Sequence, residues 1–202
     1  STFPVTVNQV GGAGAVISIN TNTTGVPTAA VIANGGTGYL LTSGLPTTEL
    51  VEFVKELIGG RATLEIGTGA GCLGRELGVR LTDNHCQEIP SVKLLMAMQG
   101  QPAIVYPEDV ENIGAIQAVN KYKPQVVVAS WVTQLSVDSS PGCMYGVQEE
   151  HVLDKVETYI FFGSEANHGA KRVMKRKHDT YRRTWMFSRA SDSVLYVWSK
   201  RR

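Results

Sequence analysis

Charge is absent from the first 48 residues of this 202-residue chain, where no Lys, Arg, Asp or Glu precedes Glu49. Long apolar runs are absent as well: no stretch approaches the ~20 residues that a membrane span needs, so we expect no membrane protein. The opening residues STFPVTVNQV contain no basic and no long apolar segment, and we expect no secretory signal. The three cysteines, Cys72, Cys86 and Cys143, form no C-x-x-C pair, which predicts reduced thiols and no zinc site.

Residues 1–48 are rich in Gly, Thr, Val and Asn, and their β-branched runs predict short strands joined by tight turns. The sequence GGAG at 11–14 recurs as GGTG at 35–38, which indicates a small two-layer β element. A β surface without charges has unprotected edges, so we predict that this element anchors the chain to other copies or to a larger assembly. A low-complexity linker is the alternative interpretation. Residues 34–44, NGGTGYLLTSG, resemble short Gly-rich β repeats of bacteriophage tail and other virion proteins.

Residues 49–202 alternate between strand and helix patterns, which predicts a second, α/β domain. We expect a Rossmann-like, mainly parallel sheet with helices on both faces and a C-terminal antiparallel hairpin at its edge. Ligands of such sheets bind at the carboxyl ends of the strands. Strands are predicted at 62–66, 79–82, 103–106, 125–130 and 158–162, helices at 49–58, 91–98, 113–120 and 149–155, and the hairpin at 184–189 and 194–198.

A glycine-rich turn, Gly67-x-Gly69-x-Gly71, directly follows the first predicted strand. Glycines at such a turn permit positive φ and let a ligand approach the backbone, so a nucleotide cofactor is the functional interpretation. A strand-to-helix turn without a ligand is the alternative. Residues 69–74 also match G-x-G-x-x-G, but the next acidic residue at a strand end, Asp83, comes earlier than the ~20 residues that NAD binding requires.

The sequence LEIGTGAG at 64–71 resembles motif I of class I S-adenosylmethionine-dependent methyltransferases, in particular a group of small methyltransferase-like proteins of bacteria and phages. The span 49–202 fits the sheet of that family, and the resemblance implies S-adenosylmethionine as the cofactor. The implied cofactor contacts comprise the loop backbone for the methionine part and a carboxylate that orients either the loop or, through water, the amino group of the cofactor. They further comprise a ribose acceptor, two residues flanking adenine, and an aromatic wall for adenine or a substrate. The loop backbone is that of Gly67, Gly69 and Gly71, and the orienting carboxylate is Glu65. Asp83 is the ribose acceptor, Asp109 and Val110 flank adenine, and Trp131 is the aromatic wall.

Candidate catalytic residues follow other strands. His85 and Tyr106 could act as general bases near the cofactor, as could His168 with less reason, and Ser130 stands at the position of the family's substrate motif. No Asp/Asn-Pro-Pro-Tyr/Phe follows the fourth strand, and no Pro-Cys nucleophile is present, which disfavours methylation of DNA amino groups and of cytosine C5. The sequence leaves the methyl acceptor open.

The C-terminal region is strongly basic. Residues 169–202 contain eleven Lys or Arg and two Asp, a net of +9, whereas residues 1–168 carry a net of −8. The run from Lys171 to Arg183 could bind nucleic acid, dock on an acidic subunit, or form a solvated loop. Three functions are thus open: a methyltransferase, phage-encoded and tethered by residues 1–48; a virion structural or decoration protein reusing the fold; and a nucleic-acid-binding module. We expect an oligomer in the host cytoplasm, with incorporation into a virion as a further possibility.

Overall fold

The computed structural model describes residues 2–9, 12–21, 27–37, 46–98, 104–136, 142–186 and 192–200. The chain divides into two compact units, Ser1–Leu41 and Thr42–Arg202. Within the described ranges, no helix is both long enough and apolar enough to cross a membrane.

The first unit contains a three-stranded antiparallel sheet in the order β1 (Thr2–Gln9), β2 (Gly12–Thr21) and β3 (Pro27–Thr37). The two glycine-rich repeats stand opposite each other, because Ala13 pairs with Thr37 and Ala15 pairs with Gly35. The described residues therefore form one sheet, and the expectation of two layers was wrong. Each outer strand pairs only with β2 within the described part of this unit.

The second unit alternates strands and helices in chain order. It comprises α1 (Thr48–Ile58), β4 (Thr63–Ile66), α2 (Cys72–Leu77), β5 (Arg80–Asp83), α3 (Pro90–Met98), β6 (Val110–Asn112), α4 (Ala115–Tyr122), β7 (Val126–Ser130), α5 (Glu149–Lys155), β8 (Thr158–Ser164), α6 (Glu165–His168), β9 (Asp179–Tyr181) and β10 (Ser193–Ser199). Single turns of 3-10 helix lie at Cys86–Glu88 and Arg172–Lys175.

The seven strands of this unit form one sheet in the order β6-β5-β4-β7-β8-β10-β9. The first five run parallel, and β10 is antiparallel to both of its neighbours. This order, with an antiparallel strand inserted second from one edge, is the sheet of the class I methyltransferase fold, so the predicted fold class is confirmed. The chain turns from one side of β4 to the other after β6, which makes the ends of β4 and β7 the switch point of the sheet.

Two predicted strands are misplaced. Residues 104–106 form no strand, and the third parallel strand is β6 instead; residue 103 lies outside the described residues. The side chains at 104 and 106 are half-buried against neighbouring loops and the one at 105 is exposed. This segment therefore has the burial pattern of a half-buried strand without being one. Residues 184–186 form no strand either, whereas 187–189 lie outside the described residues; β9 pairs with β10 instead. The carbonyl of Trp185 accepts a hydrogen bond from Thr47 Oγ1 at 3.1 Å, which holds this turn at the start of α1.

Apolar side chains pack on both faces of the sheet, because the strands next to its centre are buried on both sides. One face packs against α1 and α2, with Leu50 and Ile160 fully buried. The other face packs against α4 and α5, with Phe161 and Trp198 at its centre. Both faces are closed by protein, so the loops at the carboxyl ends of the strands are the surface left for a site.

Candidate functional site

The loop after β4 is shaped by three glycines in the left-handed region. Gly67, Gly69 and Gly71 have φ values of 57°, 57° and 77°. A Cβ on Gly67 would overlap the side chain of Val132, and one on Gly69 would stand 2.9 Å from Ile104 Cδ1. The positive φ favours glycine at both positions, and at Gly67 the overlap with Val132 leaves no space for a side chain either.

The buried carboxylate of Glu65 holds this loop in place by hydrogen bonds. Its side chain is 1% exposed, and Oε2 accepts hydrogen bonds from the Thr68 hydroxyl and from the Gly74 N–H, the latter at 3.1 Å. Burial raises the pKa of Glu65 to about 7, against the effect of both hydrogen bonds. Of the two roles that the resemblance implied for Glu65, these contacts correspond to orienting the loop.

Asp83 joins the loop after β4 to the loop after β5. It is the last residue of β5 and is buried; Oδ2 accepts from the Gly69 N–H and Oδ1 from the His85 N–H, both at 2.9 Å. A carboxylate offers about four acceptor positions. Asp83 can therefore accept these two hydrogen bonds from the loops and still accept hydrogen bonds from a ligand at the sheet edge.

His85 and Tyr106 stack beside Asp83. Their ring centroids are 3.9 Å apart with an interplanar angle of 9°, and His85 has a left-handed φ of 50°. The Nε2 atom of His85 is buried without a hydrogen-bond partner among the described residues. Burial raises the pKa of the Tyr106 hydroxyl, and the charge of nearby Asp83 raises it further. The phenol therefore stays protonated at neutral pH, and the role of Tyr106 as a general base stays a prediction.

Asp109 and Val110 lie at the entrance of β6, whereas the sequence pattern predicts them after a strand. Both carboxylate oxygens of Asp109 accept from the guanidinium of Arg75, each at 2.7 Å, and this pairing lowers the pKa of Asp109. Val110 is buried within the strand. The residue at the exit of β6 is Asn112, which stands opposite Asp83. Sequence reasoning missed Asn112 and Arg75 because it placed the strand too early.

Ser130 is the last residue of β7 and Trp131 follows it, on the other side of β4. Trp131 has a left-handed φ of 57°, and its N–H donates to the Phe162 carbonyl at 2.9 Å. Its ring stands edge-on to His168 with centroids 5.0 Å apart, and burial lowers the pKa of His168 to about 4. Since β5 and β7 flank β4, this group is about two strand spacings, roughly 10 Å, from Asp83. Trp131 therefore lies across β4 from Asp83, and its role as an aromatic wall stays a prediction.

The basic run pairs with acidic residues of α5 and, at Arg182, with Glu165 of α6. Lys171 Nζ contacts Glu149 at 2.8 Å, with side chains 5% and 1% exposed, and burial lowers the pKa of Lys171. Three further ion pairs follow, Arg172 with Glu150, Arg176 with Asp154, and Arg182 with Glu165. Four cations of the predicted nucleic-acid or subunit contact are thus neutralised within the chain.

Three solved structures resemble the chain in part. They are the 23S rRNA methyltransferase ErmE (16% identity, 78% of this chain and 70% of that chain, TM-score 0.40), an rRNA methylase from Streptococcus thermophilus (13%, 77% and 96%, 0.41), and the Pyrococcus abyssi tRNA (uracil-54, C5)-methyltransferase in complex with S-adenosyl-L-homocysteine (14%, 74% and 36%, 0.41). The sequence matches no protein-family model and no curated protein. The fold assignment rests on the strand order and register.

Proposed function

We propose that residues 49–202 bind S-adenosylmethionine and transfer its methyl group to an acceptor. The observation that supports this most is the hydrogen bond between the Gly69 N–H and Asp83, which unites a left-handed glycine loop after the central strand with a carboxylate after the next strand. A ligand that is amino acid at one end and nucleoside at the other needs such a pair of adjacent loops. The residues present therefore fit this cofactor.

In this proposal the backbone of the 67–71 loop faces the methionine part, and Asp83 accepts from the ribose hydroxyls. When bound, the cofactor supplies an electrophilic methyl group, so the main task of the chain is to position the acceptor. Ser130 and Trp131 border the approach to the sheet edge on the side away from Asp83. The chemical identity of the acceptor stays open, because none of the described side chains fixes it.

Titration calorimetry with S-adenosylmethionine and S-adenosylhomocysteine tests this proposal. We expect Asp83→Asn to weaken binding roughly tenfold or more, since a hydrogen bond to a charged group contributes about 1.5–3 kcal/mol. The matched control is Asp179→Asn, an exposed carboxylate at the start of β9, which should leave the affinity unchanged. A folded protein that binds neither ligand would contradict the proposal.

A second candidate function is a structural role in an assembly, of which a phage particle is one kind. It is favoured by the charge-free first 48 residues and by outer strands of 8 and 11 residues that pair on one side only within the described part of their sheet. Such edges invite pairing with other chains. Light scattering should give a multimer for the full chain and a smaller species for Val5→Lys, which places a charge on β1. An unchanged mass would exclude assembly through this edge.

A further inference from the structure

The Arg75 side chain joins three segments beside the candidate site. Arg75 lies in α2, directly after the glycine loop, and its Nη1 donates to the Ala70 carbonyl at 2.6 Å. Its Nε and Nη2 donate to the two carboxylate oxygens of Asp109, each at 2.7 Å. This paired geometry requires the planar guanidinium, and a lysine ammonium does not reproduce it. One side chain thus connects the glycine loop with the entrance of β6.

The peptide between Ala70 and Gly71 is held at both of its polar groups. Its carbonyl accepts from Arg75, and its N–H donates to the Thr68 carbonyl at 2.9 Å. Glycines give the loop access to many backbone conformations, so contacts with the rest of the fold must select one of them. Arg75 supplies such a contact from the side of α2.

Asp109 also ends a segment that contacts the glycine loop near its other end. The Cδ1 atom of Ile104 lies 2.9 Å from the place where a Cβ on Gly69 would stand. The segment 104–109 therefore lies against the loop at two places, once directly at Gly69 and once through Arg75. A displacement of this segment would change the surface of the loop that the proposed function assigns to the cofactor.

We propose that Arg75 is a positioning residue of the cofactor site: through Asp109 and the Ala70 carbonyl it holds the glycine loop in the conformation that receives S-adenosylmethionine. This inference rests on the proposed function. The two side chains of the ion pair are 31% and 52% exposed, and pairs this exposed contribute little to stability. Loss of the pair should therefore leave the fold intact and lower the affinity, because binding must then order the loop.

Arg75→Lys tests this role, because it retains the charge and removes the paired geometry. We expect about tenfold weaker binding of S-adenosylhomocysteine in titration calorimetry, which corresponds to the loss of one hydrogen bond to a charged group. The melting temperature should stay within about 3 °C of the wild type, since the pair is exposed. The matched control is Arg182→Lys, whose guanidinium binds both oxygens of Glu165 at the surface and which should leave the affinity unchanged.

Two results of this titration would overturn the positioning role. One is an unchanged affinity of Arg75→Lys beside normal binding by the wild type, which leaves the proposed function standing. The other is a loss of affinity together with a fall in melting temperature of more than about 5 °C, which makes the contribution of Arg75 a structural one.

Asp109→Asn removes the charge of the partner and tests whether Arg75 acts through the pair. We expect the Arg75→Lys/Asp109→Asn double variant to lose less affinity than the product of the two single losses, because both changes remove the same interaction. Losses that multiply in full overturn the pair as the origin of the effect.

Hydrogen exchange followed by mass spectrometry tests the same role in the protein without ligand. Peptides that cover residues 67–71 and 104–109 should exchange faster in Arg75→Lys than in the wild type, whereas peptides of β8 should not change. Equal exchange of the glycine loop in both proteins overturns the inference, whatever the calorimetry gives. Absence of binding by the folded wild type overturns the proposed function and the inference with it, even where the exchange rates differ.

Discussion

Glu65→Gln should make the unfolding free energy of the α/β unit less dependent on pH. Glu65 is buried beneath the glycine loop, and burial raises its pKa from 4.5 to about 7. Because the folded protein holds the proton more tightly than the unfolded chain, the protonated acid stabilises the fold at low pH. That stabilisation is complete below pH 4.5 and is lost as the pH rises through about 7. Glutamine has nearly the same shape and does not titrate.

The size of the effect follows from the pKa. At about 1.4 kcal/mol for each pKa unit, a rise from 4.5 to about 7 corresponds to about 3–4 kcal/mol in full. Most of that interval lies between pH 5 and pH 8. We therefore expect the difference in unfolding free energy, wild type minus Glu65→Gln, to fall by roughly 2–3 kcal/mol between these two pH values.

Urea unfolding followed by tryptophan fluorescence measures this difference at pH 5, 6, 7 and 8. All three tryptophans, at 131, 185 and 198, lie in the second unit, so the signal reports on the unit that contains Glu65. The control is Glu56→Gln, an exposed carboxylate on α1, which should give a difference that does not change with pH. A flat difference for Glu65→Gln as well would refute the buried carboxyl as the origin of the pH dependence.

Three further predictions concern other parts of the second unit. Lys171→Met leaves Glu149 buried without its ammonium and should cost about 3–5 kcal/mol in urea unfolding, most of it recovered when Glu149→Gln is added; a cost below about 1 kcal/mol contradicts this. Gly67→Ala combines a positive φ with an overlap on Val132 and should lower the melting temperature by several degrees, with partial recovery in the Gly67→Ala/Val132→Ala double variant. Because four cations within 171–183 are already paired in the chain, any binding of duplex DNA there should show a log–log salt slope no steeper than about −3, measured by fluorescence anisotropy.

The elements that could be predicted from the sequence are those whose pattern has one physical cause. The strands β4, β7 and β8 are buried on both faces, so short apolar runs ending at polar residues identified them. Residues 104–106 also form a short apolar run in the sequence, but in the fold they lie in a loop, where 104 and 106 are half-buried and 105 is exposed. Hydropathy reports that a side chain is buried and does not report what buries it, and this is why β6 and β9 were misplaced.

The residues of the candidate site also differ in whether the sequence could predict their positions. The glycine loop and Asp83 follow strands that were placed well, so their positions on one edge of the sheet were predictable. The resemblance assigned Asp109 to adenine, but the strand predicted before it does not form, and in the fold its carboxylate accepts a hydrogen bond from Arg75. The stacking of His85 on Tyr106 joins residues of two loops, and no local pattern in the sequence indicates it.

Acidic and basic residues are separated along the sequence, but the fold brings several of them together as ion pairs. Residues 171–176 run beside α5, and three acid–base pairs connect them: 171 with 149, 172 with 150, and 176 with 154. Each pair spans the same 22 residues, so the two segments advance in the same direction. The innermost pair is the most buried, and its ammonium also lies 3.8 Å from the centre of the Phe161 ring. A basic run that is this closely matched to one helix serves first to fasten the segment between β8 and β9 to the sheet. A partner that binds this region must therefore use the cations outside the three pairs, or displace α5 from its own contacts.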